Sequence, residues 1–293
     1  MFRLPSSDIS NDLDIGILGV PLDIGASNRS GTRFGPRSVR NESVLVRPYG
    51  MYTKAAPFDS FQIADIGDVN CIDEDMESCQ IALCTTISCL ISRQIFPIVI
   101  GGGHDMSYGH YKGIYDAIKN TNKKKIGIIN FDAHFDLRPV EDKPNSGTPF
   151  NQILNEFDDV GYFVIGIQYQ SNTKELIDIA KKNNINFAIN YDCESSKEEL
   201  DALKERLLPC INSGDHLYIT NDMDGFSSAY APGVSAPSPL GFTPYFVFKM
   251  LRYLFETQKV ISCDIAELNP TLDRDDLTAN LAAKLVDFIV MNY

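Results

Sequence analysis

The segment "IGIINFDAHFDLRP" (residues 126–139) sets the apolar run Ile126–Ile129 almost directly against Asp132, His134 and Asp136. A short apolar run of this kind reads as a strand covered on both faces, as parallel sheets require. Two carboxylates and an imidazole at the end of a core strand are costly to bury unless something neutralises them. Alternate residues of an extended chain point the same way, so positions 132, 134 and 136 are expected to face one site. Arg138 follows two residues later and sets a guanidinium at the edge of the same feature.

Working outward, similar runs recur along the chain. Strands are expected at 15–20, 62–66, 97–101, 126–132, 162–167, 187–191, 217–222 and 260–267. Helical patterns separate many of them, for example at 74–94, 173–183, 196–208, 243–257 and 275–291. Strand–helix alternation from end to end means a parallel sheet with right-handed crossovers. No linker, repeat or low-complexity segment interrupts it. The expected architecture is one α/β domain over residues 1–293, three-layered α/β/α with a central eight-stranded parallel sheet. A closed eight-stranded barrel has the same strand count and competes with it.

The composition narrows the partners. The chain has 293 residues, 44% of them hydrophobic, so it can bury a sizeable core. A formal charge of -13 and a pI near 4.7 argue against nucleic acid, since phosphate binding needs a basic surface. The run Lys123–Lys125 is most simply a solvated loop. No apolar stretch approaches the roughly 18 residues of a membrane span, so no membrane contact is expected. The opening "MFRLPSSDIS" has no apolar core of a signal peptide. Seven cysteines, with no C-x-x-C pair, suit a reducing cytoplasm in which most act as small core residues.

In parallel α/β folds ligands sit beyond the carboxyl ends of the strands. Strand 97–101 runs into "GGGHDMSYG", which exposes His104, and strand 217–222 runs into "NDMDG", which supplies Asp222 and Asp224. Strand 260–267 ends in "DIAELNP", which supplies Glu267. Each piece alone has an ordinary explanation, a loop histidine or a helix N-cap. Together they set histidine and carboxylate at four strand ends. Asp132, Asp136, Asp222 and Asp224 would carry about −4 when ionised and repel one another without cations. Two divalent cations would neutralise them. Oxygen-rich ligation with two imidazoles and no thiolate suits Mn²⁺ better than Zn²⁺. Two such ions sharing a water would supply hydroxide near neutral pH.

The motifs "GGGHD", "DAHFD" and "DMDGFSSAYAPGVSAP" resemble the three signatures of the ureohydrolase superfamily, which includes arginase, agmatinase, guanidinobutyrase and formimidoylglutamase. The likeness runs from "GVPLDIGASNRSGTRFGPRSVR" to "DIAELNPTLDRDDLTANLAAKLV". It implies an eight-stranded parallel sheet, a Mn²⁺ pair and hydrolysis of a C–N bond at an amidine or guanidine carbon. By motif position, His104 and Asp136 resemble ligands of one metal, and His134 and Asp224 ligands of the other. Asp132 and Asp222 resemble the bridging carboxylates, and Glu267 the acid that grips the amidinium. A homo-oligomer, trimeric or hexameric, is also implied.

The resemblance is closest to formimidoylglutamase around the metal motifs. There "DAHFDLRP" is followed by "NSGTPF" and "GIQYQSNTKEL", so Arg138, Ser146, Gln168 and Asn172 are candidate substrate contacts. Arg138 would pair bidentately with a substrate carboxylate. Ser146 stands where arginases and agmatinases usually carry a histidine before glycine. The N-terminal third, "ASNRSGTRFGPRSVRNESVLVRPY" and "AAPFDSFQIADIGDV", looks more like agmatinase or guanidinobutyrase. The metal-proximal segments lie nearer the reacting carbon and weigh more. They favour N-formimidoyl-L-glutamate, hydrolysed to glutamate and formamide with Asp136 passing a proton to the leaving amine. Guanidinobutyrate remains the alternative, since both substrates end in a carboxylate, whereas the ammonium of agmatine would be repelled. A catalytically silent, metal-binding or regulatory homologue is the rival of another class.

Overall fold

The computed structural model describes residues 12–47, 49, 56–71, 75–122 and 125–293. The opening "MFRLPSSDIS" and residues 123–124 of the lysine run lie outside them. Among the described residues the strands are β1 (Ile15–Gly19), β2 (Ile63–Asp68), β3 (Phe96–Ile100), β4 (Ile126–Phe131), β5 (Gly161–Ile167), β6 (Asn186–Ile189), β7 (His216–Asp222) and β8 (Val260–Ala266). They form one eight-stranded sheet in the order β2-β1-β3-β8-β7-β4-β5-β6, with every pair parallel. The sheet is open, with β2 and β6 as its edges, which rules out the barrel.

The helices are α1 (Gly35–Ser43), α2 (Met76–Ser92), α3 (Met106–Ile118), α4 (Pro149–Glu156), α5 (Lys174–Lys182), α6 (Lys197–Ser213), α7 (Pro244–Glu256) and α8 (Leu277–Asn292). Residues of α1, α6, α7 and α8 pack on one face of the sheet, and residues of α2 to α5 on the other. Alternation along the strands feeds both cores. Ile129 and Phe131 of β4 enter the first, and Ile126 and Ile128 the second. Local chemistry starts several of these helices: Asp75, Thr173, Ser196 and Thr243 each accept a hydrogen bond from a backbone N–H in the first turn.

Two expectations shift. The helix expected to stop at 208, before Pro209, continues to Ser213. Pro209 is exposed, so the carbonyl its ring leaves without a partner can turn to solvent. The cysteines are not all thiols: Cys71 and Cys79 form a disulfide with Cα atoms 4.8 Å apart. Cys71 lies shortly after β2 and Cys79 in the first turn of α2, a closeness that spacing alone did not reveal.

Candidate metal centre

The four strands whose ends hold the candidate ligands, β3, β8, β7 and β4, are consecutive in the sheet. Register then sets the residues level. Phe131 pairs with Asn221, so Asp132 emerges beside Asp222. Asp222 pairs with Ala266, so Glu267 emerges next to it, and Ile100 pairs with Ile265, which aims the 101–104 loop at the same place. That loop packs closely: a Cβ on Gly102 would collide with the carbonyl of Leu22.

The convergence of Asp132, His134 and Asp136 is real, but strand alternation is not its cause. β4 ends at Phe131 and the chain bends through 133–134. Asp136 adopts a left-handed backbone, φ 48°, which is uncommon outside glycine and asparagine-like residues. The bend sends the ligands two ways. His104, Asp132, Asp136 and Asp222 form one group, and Asp132, His134 and Asp224 the other, with the ligand atoms of each within 4.8 Å. Asp132 belongs to both groups. Asp222 belongs to the first, and its Oδ1 accepts the Asp224 backbone N–H at 2.8 Å.

The electrostatics ask for cations. His104 Nδ1 lies 3.0 Å from Asp136 Oδ2, 3.1 Å from Asp222 Oδ2 and 3.4 Å from Asp132 Oδ2. His134 Nδ1 lies 3.2 Å from Asp224 Oδ2 and 3.5 Å from Asp132 Oδ1. Burial alone would depress both imidazoles, yet the surrounding carboxylates hold them well above their ordinary value. Burial, reinforced by neighbouring aspartates, raises Asp136 and Asp222. Asp132 is buried too, but the two histidines keep it below the usual carboxylate range. His104 Nδ1 and Asp224 Oδ1 are buried without a hydrogen-bond partner. Unpaired buried polar atoms of this kind are expensive; a divalent cation in the first group would satisfy His104 Nδ1, and one in the second would satisfy Asp224 Oδ1. The residues present therefore fit a metal pair.

Other side chains hold the cluster from behind. Asn130 Nδ2 donates to Asp132 Oδ2 at 2.9 Å, and the His134 backbone N–H donates to Asp132 Oδ1 at 2.7 Å. Glu267 is buried, has φ 64°, and its Oε1 accepts the His104 backbone N–H at 2.8 Å. Burial pushes the Glu267 carboxyl up to about 8. A cation nearby would pull it back toward the ionised form.

The proposed tail-reading residues lie on loops. The Arg138 guanidinium lies across Gly147, where any Cβ would meet it, and Nη2 donates to Ser27 Oγ at 3.3 Å. Ser146 is buried, and its hydroxyl lies 3.1 Å from the same Ser27 Oγ. Ser27 was not among the expected residues, because the loop that supplies it lies 119 positions away from Ser146. Gln168 is buried, with Oε1 accepting from Ser238 Oγ at 2.6 Å and Nε2 left without a partner. Asn172 is engaged otherwise than expected. Its Nδ2 donates to the carbonyls of Ala133 and Gln168, both at 2.8 Å, and its Oδ1 accepts the Phe135 N–H at 3.1 Å. With both amide protons in use, Asn172 braces the 132–136 bend instead of presenting a donor to a substrate.

A profile described as the arginase family matches residues 13–291. The chain belongs to the arginase family. It is similar to the formimidoylglutamase of Lysinibacillus sphaericus, 36% identical over 289 residues that span 97% of this chain and 87% of that one. The formimidoylglutamase of a Geobacillus species is 42% identical over 219 residues, 75% of this chain and 66% of the relative's length. Among solved structures, the formimidoylglutamase of Bacillus subtilis superposes with a TM-score of 0.90 at 26% identity, covering 99% of this chain and 90% of that one. The eight-stranded parallel sheet is thus the arginase-family fold. Formimidoylglutamases of this family are hydrolases of C–N bonds in linear amidines. Among the described residues no helix is long and apolar enough to cross a membrane.

Proposed function

We propose that the protein hydrolyses N-formimidoyl-L-glutamate to L-glutamate and formamide, with two Mn²⁺ ions as cofactor. The observation that carries this reading is Arg138. A guanidinium held by Ser27 and laid across Gly147 stands two residues from Asp136 of the metal cluster. His104, Asp136 and Asp222 would hold one ion and His134 and Asp224 the other, with Asp132 shared. Bound there, the pair would supply hydroxide near neutral pH by lowering the pKa of a water.

The chain's own groups do the rest. Glu267 has one oxygen on the His104 N–H and keeps the other for the amidinium N–H groups of the substrate. Arg138 pairs with a substrate carboxylate as a planar fork, and the free Gln168 Nε2 supplies a further donor. Asp136 carries a proton to the leaving amine, whose departure completes C–N cleavage. On this reading the protein serves histidine breakdown in the cytoplasm.

The test is a panel of formimidoylglutamate, guanidinobutyrate, guanidinopropionate, agmatine and arginine, each with Mn²⁺ and each scored by product. Formamide from the first, at the highest kcat/KM, is the expected result. Urea from guanidinobutyrate as the preferred reaction would favour the other carboxylate-tailed substrate, which the N-terminal segments resemble. No turnover of any member, with metal bound, would point to a silent homologue.

A further inference from the structure

One buried face of β7 is polar where a core strand needs apolar side chains. Tyr218, Thr220 and Asp222 are alternate residues and therefore share a face, and none is more than 2% exposed. Asp222 is in the metal cluster. The other two are unexplained by ligand duty. A buried hydroxyl costs free energy unless it is hydrogen-bonded, so each should have a partner that accounts for it.

Thr220 Oγ1 lies 2.8 Å from His104 Nε2. His104 turns its other nitrogen, Nδ1, toward Asp132, Asp136 and Asp222. To offer Nδ1 to a cation the ring must carry its proton on Nε2, and that proton then points at Thr220 Oγ1. Below Thr220, the Tyr218 hydroxyl sits beside the hydroxyls of Thr220 and Ser107 and donates to Asp264 Oδ2. Asp264 Oδ2 also faces His110 Nδ1 at 2.8 Å, and His110 Nε2 lies 2.6 Å from Ser262 Oγ. Asn221 Nδ2 donates to the Asp264 carbonyl at 2.9 Å.

The order Ser262, His110, Asp264 resembles a nucleophilic triad, but it cannot act as one. All three side chains are fully buried, and Ser262 Oγ donates to the Pro97 carbonyl at 3.1 Å, so no substrate reaches it. The cluster instead forms a rigid base beneath Thr220, built from β3, β7, β8 and α3.

We propose that Thr220 is a positioning residue: its hydroxyl, backed by the Tyr218–Asp264–His110 cluster, fixes the tautomer and ring orientation in which His104 presents Nδ1 to a metal ion. Partners behind a metal-bound imidazole commonly set affinity in this way. The inference rests on the metal reading given under the proposed function. It assigns no chemistry to Thr220 itself, which acts only through His104.

The test is calorimetric titration of metal-free full-length protein with Mn²⁺, beside thermal melting of the same metal-free samples. T220V keeps the side-chain shape and removes the acceptor, whereas T220S keeps the hydroxyl. T220V is expected to weaken the ion held by His104 about 10- to 100-fold, with a smaller change at the His134 and Asp224 side. T220S is expected to bind nearly as wild type does, and Y218F to show a smaller loss than T220V. A purely structural role would lower the metal-free melting temperature and leave Mn²⁺ affinity alone. T220V binding both ions within about twofold of wild type overturns the proposal. If T220V does not fold, T220A is read by the same criteria. Wild-type protein that binds no Mn²⁺ overturns this inference together with the metal reading, whereas unchanged affinity in T220V overturns this inference alone.

Discussion

The floor of the site and its rim are built by different means. The floor sits on four neighbouring strands, with His104 and Asp132 fully buried and Asp222 2% exposed. Its geometry follows from sheet register, which cannot slip without moving every core side chain to the wrong face. The rim is made of loops. Arg138 and Ser27 are exposed, and a few hydrogen bonds, those to Ser27 across more than a hundred residues, hold them in place. The contrast assigns tasks: a rigid floor suits chemistry common to a family, and a rim of few contacts suits the choice of substrate.

The largest effect should come from the floor. Asp222→Ala removes a carboxylate from the group around His104 and should lower kcat/KM by about a thousandfold or more, with loss of bound Mn²⁺. Elemental analysis of the purified variant checks it. Retention of both ions and of activity would collapse the distinction between floor and rim.

The next effect belongs to the rim. Arg138→Ala should cost about 2–4 kcal/mol of transition-state stabilisation on a carboxylate-tailed substrate, roughly 30- to 1000-fold in kcat/KM. Metal content should not change. Arg138→Lys should recover only part of the loss, since an ammonium lacks the planar fork. Steady-state kinetics on formimidoylglutamate and guanidinobutyrate read both variants. Wild-type values in Arg138→Ala would show that the rim reads something other than a carboxylate.

The floor should also reveal itself through pH in chelator-treated protein. Glu267 at about 8 and Asp105, the buried residue that follows His104, at about 7 are both raised by burial. Asp136 and Asp222 are raised as well, and the carboxylates lift His104 and His134. In each case the native state holds a proton that the unfolded state has released. Stability from these groups is therefore present at low pH and lost as pH rises through the folded-state values. Asp132 has the opposite sign, but it loses its contribution only in strong acid. Metal-free protein should melt several degrees lower near about pH 8.5 than near about pH 6. A divalent cation bound to the cluster would replace those protons, so the affinity for Mn²⁺ should rise over the same interval. Scanning fluorimetry with and without Mn²⁺ measures both trends, and a metal-free melting temperature that climbs with pH would contradict the cluster's electrostatics.

The smallest effect is at Ser27. Its hydroxyl joins Arg138 to Ser146, and an exposed hydrogen bond is worth about 0.5–1.5 kcal/mol. Ser27→Ala should raise KM for the carboxylate substrate by about 2- to 10-fold with kcat little changed. A kcat loss as large as that of Arg138→Ala would move Ser27 from the rim to the chemistry.

By itself the sequence determined the strands, their parallel arrangement and the residue types at their ends. Apolar runs such as Ile126–Ile129 report burial locally, and a motif such as "DAHFD" carries its ligands within a few covalent bonds. Tertiary structure decided which groups meet. The left-handed Asp136 sends that carboxylate to His104 while His134 turns to Asp224, a division that alternate spacing does not contain. Asn172 resembles a substrate contact in the sequence, yet it braces the backbone of the bend. Thr220 reads as one more strand residue until β3 and β7 place His104 against it, and Ser27 becomes relevant only once its loop closes on Ser146. The physical reason is range. Burial and ligand type depend on the residue and its neighbours in the chain, whereas tautomers, ligand pairing and loop contacts depend on partners far along the chain, Thr220 116 and Ser27 119 positions from theirs, which only register and packing bring within hydrogen-bonding distance.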